Sequence, residues 1–264
     1  MPVIGIGIGV CYRGINPGGA APEPPAWSPL ELSPVLWLKS DAGLYQERTG
    51  ASATTPAGAD ADPIGTWQDQ SGNGNHLTAT TDAKRPTLKL AIQNSRAVVR
   101  FDGSDDFLIS AASIEAFPAK RGSLFAVYKR SAATGQGVLL GTYAGGTPPF
   151  WIWYLSTSGT LEKWYDGTAF ANAALYDSFV GFVLGALLRD GDTTLKHYRG
   201  GALADSLTMT NNIHPPSVIA VGAETGGGSL HAGDIGEILV FPTALGTTDR
   251  GLVETYINSR WSVF

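Results

Sequence analysis

The sequence predicts an all-β sandwich preceded by an extended N-terminal arm and closed by one C-terminal amphipathic helix. Three observations lead there. Short β-type runs bounded by turn residues recur from Val35 to Phe241 at the spacing of a sandwich. The 34 Gly and 16 Pro supply more punctuation than a helical protein carries, and only 16% of residues are charged. The third is a pair of stretches, W-Q-D-Q-S-G-N-G-N-H from Trp67 to His76 and V-V-R-F-D-G-S-D-D-F from Val98 to Phe107. In the first, Trp67 is an aromatic anchor, and Asp69 opens a run of Ser71, Gly72, Asn73, Gly74 and Asn75, residues that tolerate positive φ or bond their own backbone. A tight, self-bonded loop between two strands follows from that. In the second, Val99, Phe101 and Gly103 alternate with Val98, Arg100 and Asp102, giving a strand that stops at Asp102-Gly103.

The elements in order begin with V-I-G-I-G-I-G-V at residues 3 to 10. If extended, it puts Ile4, Ile6, Ile8 and Val10 on one face and glycines on the other, a thin strand that a second backbone can approach closely. It reads equally as an assembly arm, docking on a neighbouring subunit or on its own domain, and as a packed first strand. Glycine at every second position, with no helical pattern after Val10, sets aside a dinucleotide-binding loop. Residues 17 to 34 are Pro-rich and favour polyproline or irregular extended backbone, a semi-rigid linker pinned by Trp27 and Leu30. The organisation is therefore an arm at 1–16, a linker at 17–34 and one domain at 35–264.

Within the domain, V-L-W-L-K-S-D from Val35 is an apolar strand ending at Asp41, and residues 49 to 63 read as a surface loop. After the Trp67 loop come a short run at Leu88 and Leu90, then strands at Ala97 to Phe101, Phe107 to Ile109, Ser123 to Tyr128 and Val138 to Leu140. P-P-F-W-I-W-Y-L from Pro148 and L-E-K-W-Y from Leu161, split by a turn at Ser156 to Gly159, form an aromatic hairpin. Phe179 to Leu188 is apolar on both faces, a central buried strand. Leu195 to Tyr198, Val218 to Val221 and Asp234 to Phe241 follow. From Thr247 the period changes: Thr247 or Thr248 caps, Asp249 sits in the first turn, and Leu252, Val253, Tyr256, Ile257 and Trp261 fall on one stripe of a helix at 247–261.

Composition narrows function. The chain has 264 residues, enough for one sizeable sandwich, and a net charge of -5 with no Lys/Arg cluster excludes an electrostatic nucleic-acid partner. The lone Cys11 excludes an intrachain disulfide framework. No basic-then-apolar leader and no run of about 18 apolar residues is seen, so membrane insertion and general secretion are not expected.

Trp67, Asp69 and the Ser71–Asn75 loop, Arg85-Pro86-Thr87, Val99-Arg100-Phe101-Asp102-Gly103 with Asp105-Asp106-Phe107, and Gly236-Glu237-Ile238-Leu239-Val240-Phe241 before a helix ending near Trp261 resemble the laminin-G-like jelly-roll family. That family belongs to the concanavalin A-like lectin and glucanase superfamily. Over residues 35 to 264 the resemblance implies a concanavalin A-like jelly-roll β-sandwich of two antiparallel sheets, one concave, with sugar-binding loops or a groove in the members that bind sugars. Stand-alone copies with a glycine- and proline-rich arm resemble virion surface proteins of tailed bacteriophages, of the capsid-decoration or tail-fibre type. The resemblance thus implies a virion-surface location, or an extracellular one, with other virion proteins or copies of itself as partners of the arm and host-surface glycans as partners of the sandwich.

Four constellations are candidates for chemistry. Trp67, Asp69, Asn73 and Phe101 form a structural motif, Asp69 accepting loop N–H groups while Trp67 fills the core. Asp102, Asp105 and Asp106, beside Ser104, gather oxygen ligands of the kind calcium takes, and some superfamily members bind calcium at loop ends; no other cofactor is expected. Trp151, Trp153, Trp164 and Tyr165 offer flat rings for a sugar platform, or else build core on one face while the other face is covered. Ile4, Ile6, Ile8 and Val10 are the assembly arm. The alternating carboxylates that superfamily hydrolases place on one strand are absent: Asp234/Glu237 and Glu162/Asp166 have the wrong spacing, and His76, His197, His214 and His231 are scattered. The expected protein is a non-catalytic virion or adhesion protein, with a free lectin as the alternative and a glycan hydrolase disfavoured.

Overall fold

A computed structural model of the chain describes residues 27–131, 137–142, 151–155, 161–165, 170–175, 181–191, 193–209 and 214–264. The arm residues Ile4, Ile6, Ile8 and Val10 and the first part of the linker lie outside the described residues. The early strands are β1 (Leu36–Lys39), β2 (Leu44–Tyr45), β3 (Thr66–Trp67), β4 (Leu77–Ala79), β5 (Thr87–Gln93), β6 (Arg96–Asp102), β7 (Leu108–Ser110) and β8 (Arg121–Arg130). The later ones are β9 (Gly137–Gly141), β10 (Ile152–Leu155), β11 (Leu161–Tyr165), β12 (Phe170–Leu175), β13 (Val183–Asp190), β14 (Thr194–Arg199), β15 (Ala202–Thr208), β16 (Ala220–Val221) and β17 (Ala232–Phe241). One α-helix among the described residues, α1 (Thr247–Trp261), follows β17.

These strands build two antiparallel sheets. One runs β15-β14-β13-β8-β17-β6-β5, with β1 pairing the second half of β17; the other runs β12-β11-β10-β9-β16-β7-β4-β3-β2. Their facing sides bury Leu38, Trp67, Phe101, Leu124, Tyr128, Leu140, Trp153 and Ile238 in one core. The far side of the first sheet carries a second apolar layer, with Phe125, Val127, Leu184, Leu239 and Phe241 under Val253, Ile257 and Trp261 of α1. That explains why β13 is apolar on both faces: Val183 and Leu187 meet the other sheet, while Leu184, Ala186 and Leu188 meet the helix side. Burying Val253, Ile257 and Trp261 contributes ~5–9 kcal/mol of transfer free energy before ordering costs.

A bulge in β17 sets this helix contact. Opposite β8 the register runs Ile235 to Tyr128 and then Glu237 to Val127, leaving Gly236 as the extra residue. Simple alternation would turn Glu237 toward the core with Ile235; after the bulge Ile238 and Val240 face inward instead. Gly236 and Glu237 both meet α1, and a Cβ on Gly236 would stand 2.6 Å from the Trp261 ring.

Four local features differ from the sequence expectation. Pro29–Leu32 is a 3-10 turn capped by Ser28 and Glu31 rather than extended backbone, because Ser28 and Glu31 exchange the two bonds of a capping box. Trp27 packs edge-on against Tyr256, but Leu30 is exposed. Gly246, not a threonine, occupies the helix N-cap, and Leu252 stands outside the buried stripe.

Candidate functional site

The Trp67 loop is a clasp on the point where the chain enters the sandwich. Asp69 Oδ1 accepts from the N–H groups of Trp37 and Ser71, both at 2.9 Å, and Oδ2 from Ser71 Oγ (2.7 Å) and the Asn75 N–H (3.0 Å). Asn73 and Asn75 donate their side-chain amides to the carbonyls of Pro34 (2.9 Å) and Val35 (2.7 Å). Trp67 is wholly buried and donates to the Lys39 carbonyl; Phe101 is buried on β6. Every oxygen of Asp69 is thus engaged by its own chain.

Of the two readings of the aromatic hairpin, a sugar platform or a strand pair covered on both faces, its tryptophans follow the second. Trp151, Trp153 and Trp164 are at most 2% exposed and point between the sheets. Trp151 and Trp164 stack at 5.5 Å with Phe117 edge-on to both, and Trp153 reaches across to Tyr128 and β13. Gly185 makes room for that ring, since a Cβ there would stand 2.7 Å from it. The opposite face of β10, Ile152 and Tyr154, is also buried, with Val138. Both faces of the strand are therefore covered, and none of Trp151, Trp153 and Trp164 opens a ring face to a sugar. Tyr165 ends β11, and its side chain lies outside the described part.

Asp102, Asp105 and Asp106 bring carboxylate oxygens within 4.8 Å of one another at the end of β6. Two of them also hold the turn: Asp102 Oδ1 accepts from the N–H of Ser104 at 2.7 Å, and Asp106 Oδ2 from the N–H of Asp102 at 2.9 Å. Burial pushes the Asp106 carboxyl up to about 6. Burial also opposes ionisation of exposed Asp102, but the N–H groups of Ser104 and Asp105 outweigh it and hold that carboxyl below its ordinary range. The set is one that could hold a calcium ion.

Asp69, Asp106, Asp234, Glu237 and Glu254 are the buried carboxylates among the described residues, and each accepts from a fixed donor. Asp234 takes a two-pronged bond from Arg100 across β6 and β17, at 2.6 and 2.9 Å. Glu237 takes four: Trp37 Nε1 (2.8 Å) and Tyr256 Oη (3.0 Å) on Oε1, Arg260 Nε (3.0 Å) and Trp261 Nε1 (2.8 Å) on Oε2. Burial, then the neighbouring Glu237, holds the Tyr256 phenol above its ordinary pKa, so it stays a donor. Glu47 and Asp82 share an open depression, yet hydrogen bonds from Thr55 press Glu47 down to about 2 and Arg48 lowers Asp82. Neither is protonated near neutral pH, as a glycosidic acid must be. His231 is buried and neutral, pushed down to about 3 by burial and by Arg130.

A concave polar surface remains on the far side of the first sheet, where α1 begins. Alternation on β14 turns Leu195 and His197 inward and Thr194, Lys196 and Tyr198 outward. The outward three face the first turn of α1 across a cleft of about 380 Å³ floored by Leu188 and Leu245. Arg250 forms its wall, its guanidinium 3.9 Å over the Tyr198 ring and bonded to Glu254 Oε1 (2.6 Å) and the Gly201 carbonyl (3.1 Å). Sequence reading did not single these residues out; the outward T-x-K-x-Y alternation was the available signal.

No protein-family model matches the sequence, and no curated protein matches it either. Solved structures do match. A mutant GH54 α-L-arabinofuranosidase soaked with 4-nitrophenyl α-L-arabinofuranoside is similar at a TM-score of 0.61 and 14% identity, over 88% of this chain and 64% of that one. The botulinum neurotoxin serotype D binding domain is similar at 0.55 and 11%, over 85% of this chain and 51% of that one. The serotype D ligand-binding domain in complex with N-acetylneuraminic acid matches at 0.55 and 12%, over 87% and 53%. The chain thus spans about half the length of the toxin domains it matches. These likenesses show the fold, a jelly-roll β-sandwich. Among the described residues no helix is long and apolar enough to cross a membrane.

Proposed function

We propose that the chain is a non-catalytic glycan-binding domain displayed on a virion surface, as a capsid-decoration or tail-fibre protein, and attached through residues 1–34 to other virion proteins or to copies of itself. One observation carries the non-catalytic, binding part: the buried carboxylates are all engaged by fixed donors, while an open polar cleft presents the exposed side chains of Thr194 and Lys196. The fold is compatible with sugar binding, since a solved domain of similar fold holds N-acetylneuraminic acid. The virion location rests on the resemblance of a stand-alone laminin-G-like domain with a glycine- and proline-rich N-terminal arm to virion surface proteins of tailed bacteriophages. A free lectin is the second reading, favoured if the arm has no partner.

The test has two arms. Full-length protein is applied to a glycan array and assayed for release of reducing sugar; binding without release is expected, and turnover would defeat the reading. Full-length protein and a form lacking residues 1–26 are then compared by light scattering. Assembly that needs residues 1–26 supports the virion reading, and a full-length monomer that binds glycans supports the free lectin.

A further inference from the structure

We propose that the cleft between β14 and the first turn of α1 is the sugar site, and that its ligand is the end of a neutral, hydroxyl-rich glycan. This rests on the glycan-binding reading and adds its location and ligand class.

Size comes first. About 380 Å³ lies within the range of small-ligand sites and suits one or two sugar rings. The lining has the composition that hydroxylated rings need, apolar carbon below and mixed donors and acceptors around it. Leu188 and Leu245 are buried and supply the floor. Along β14, Thr194, Lys196 and Tyr198 follow one another at intervals of ~6.8 Å, two strand residues apart. They offer in turn a hydroxyl that donates and accepts, an ammonium that donates, and a phenol that does both. Asp190, at the end of β13, adds acceptors at the rim.

Charge decides the ligand class. The cations Lys196 and Arg250, with Arg121 3.5 Å from Asp190 at the rim, are matched by Asp190, by Asp249 in the first turn of α1 and by Glu254, which is bonded to Arg250. A balanced site gives no net attraction to a phosphate, sulfate or carboxylate, whereas neighbouring donors and acceptors match vicinal hydroxyls, each of which gives and takes a hydrogen bond.

The walls are set before any ligand arrives. Arg250 is held on three sides by the Tyr198 ring, Glu254 and the Gly201 carbonyl. The segment leading into α1 is tied to buried Ser123, whose Oγ donates to the Thr243 carbonyl and accepts from the Leu245 N–H, at 2.8 and 2.9 Å. Pre-ordered walls keep the entropic cost of binding low. Lys196 and Thr194 are exposed, so changing them tests the cleft without touching the core.

The full chain is titrated, by saturation-transfer NMR and calorimetry, with D-glucose, D-galactose, D-mannose, L-rhamnose and N-acetylglucosamine, and with N-acetylneuraminic and glucuronic acids for comparison. Lys196→Ala and Thr194→Trp, which fills the cleft, are titrated alongside, with melting temperature as the folding control. At least one neutral sugar is expected to bind, and each variant that keeps the wild-type melting temperature is expected to weaken it by about tenfold or more. Unchanged affinity in Lys196→Ala and in any folded Thr194→Trp would overturn the inference while leaving the glycan-binding reading standing. Preference for the acidic sugars would overturn the ligand class alone. Binding of none of these sugars, and of no glycan on an array, would remove both.

Discussion

Glu237→Ala should separate α1 from the sandwich. The wild-type carboxylate is 1% exposed and takes bonds from β1 and from three positions of α1, so its removal leaves the indole N–H groups of Trp37 and Trp261, the Tyr256 hydroxyl and the Arg260 guanidinium without that acceptor. Arg260 keeps Asp41, at 2.8 and 2.9 Å, which limits the damage from its charge. Two buried indole donors left unsatisfied cost about 1–3 kcal/mol each, and a charge that loses a buried partner adds about as much again. Since these costs overlap, the expected loss is about 4–6 kcal/mol, a large share of the ~5–15 kcal/mol by which domains are stable. Glu237→Gln keeps one acceptor oxygen but turns an amide N–H toward two donors, and should lose ~2–4 kcal/mol. Urea unfolding followed by tryptophan fluorescence measures both, and a red shift at low urea would report release of Trp261. A loss below ~1 kcal/mol in Glu237→Ala would refute the claim that this carboxylate fastens the helix.

Two further changes are informative. Asp69→Ala removes the acceptor of four hydrogen bonds and should lower stability by ~2–4 kcal/mol without changing glycan affinity; an unchanged melting temperature would contradict its role in the clasp. Asp106, at about 6 when folded against ~3.9 when unfolded, favours folding in its protonated form, so its contribution is full below about pH 4 and is lost as pH rises through 6. Asp106→Asn should therefore be more stable than wild type at pH 7.5, by on the order of 1–2 kcal/mol, and equal to it near pH 4; a pH-independent difference would sink this assignment. In the same samples, a calcium-dependent rise in melting temperature that Asp106→Asn abolishes would mark a calcium site at the turn, and equal melting in calcium and EDTA would dismiss it.

Much of the sandwich was legible because alternation and turn residues are local signals: the strands near Leu36, Val99, Phe125 and Ile235 and the helix at 247–261 follow from spacing alone. β12 and β15 were not, since F-A-N-A-A-L and A-L-A-D-S-L-T carry small and polar residues that earn a strand only from their neighbours. The aromatic hairpin shows why a site is harder to read than a fold. Period-2 spacing separates Trp151 and Trp153 from Ile152, but whether a face is open depends on what covers it, and the space for Trp153 comes from Gly185, 32 positions away in sequence and in the opposite sheet. The bulge at Gly236 breaks the alternation outright, so Glu237 reads as inward-facing until its pairing with β8 is known. The cleft residues were visible as alternation on β14, but their meaning depends on where α1 starts.

If residues 1–26 tether the domain as proposed, the clasp at the Trp67 loop has a mechanical consequence. A pull on residues 1–26 would reach the fold at Trp27 and then at Pro34 and Val35. There the Asn73 and Asn75 amides, the Val35 N–H to the Val240 carbonyl, and the Trp37 N–H to Asp69 stand side by side. Bonds that share a load together must break together, whereas bonds loaded in sequence unzip one at a time. A tether fastened in this way should hold until β1 leaves the sheet as a unit, and a force trace would show one high rupture rather than a staircase.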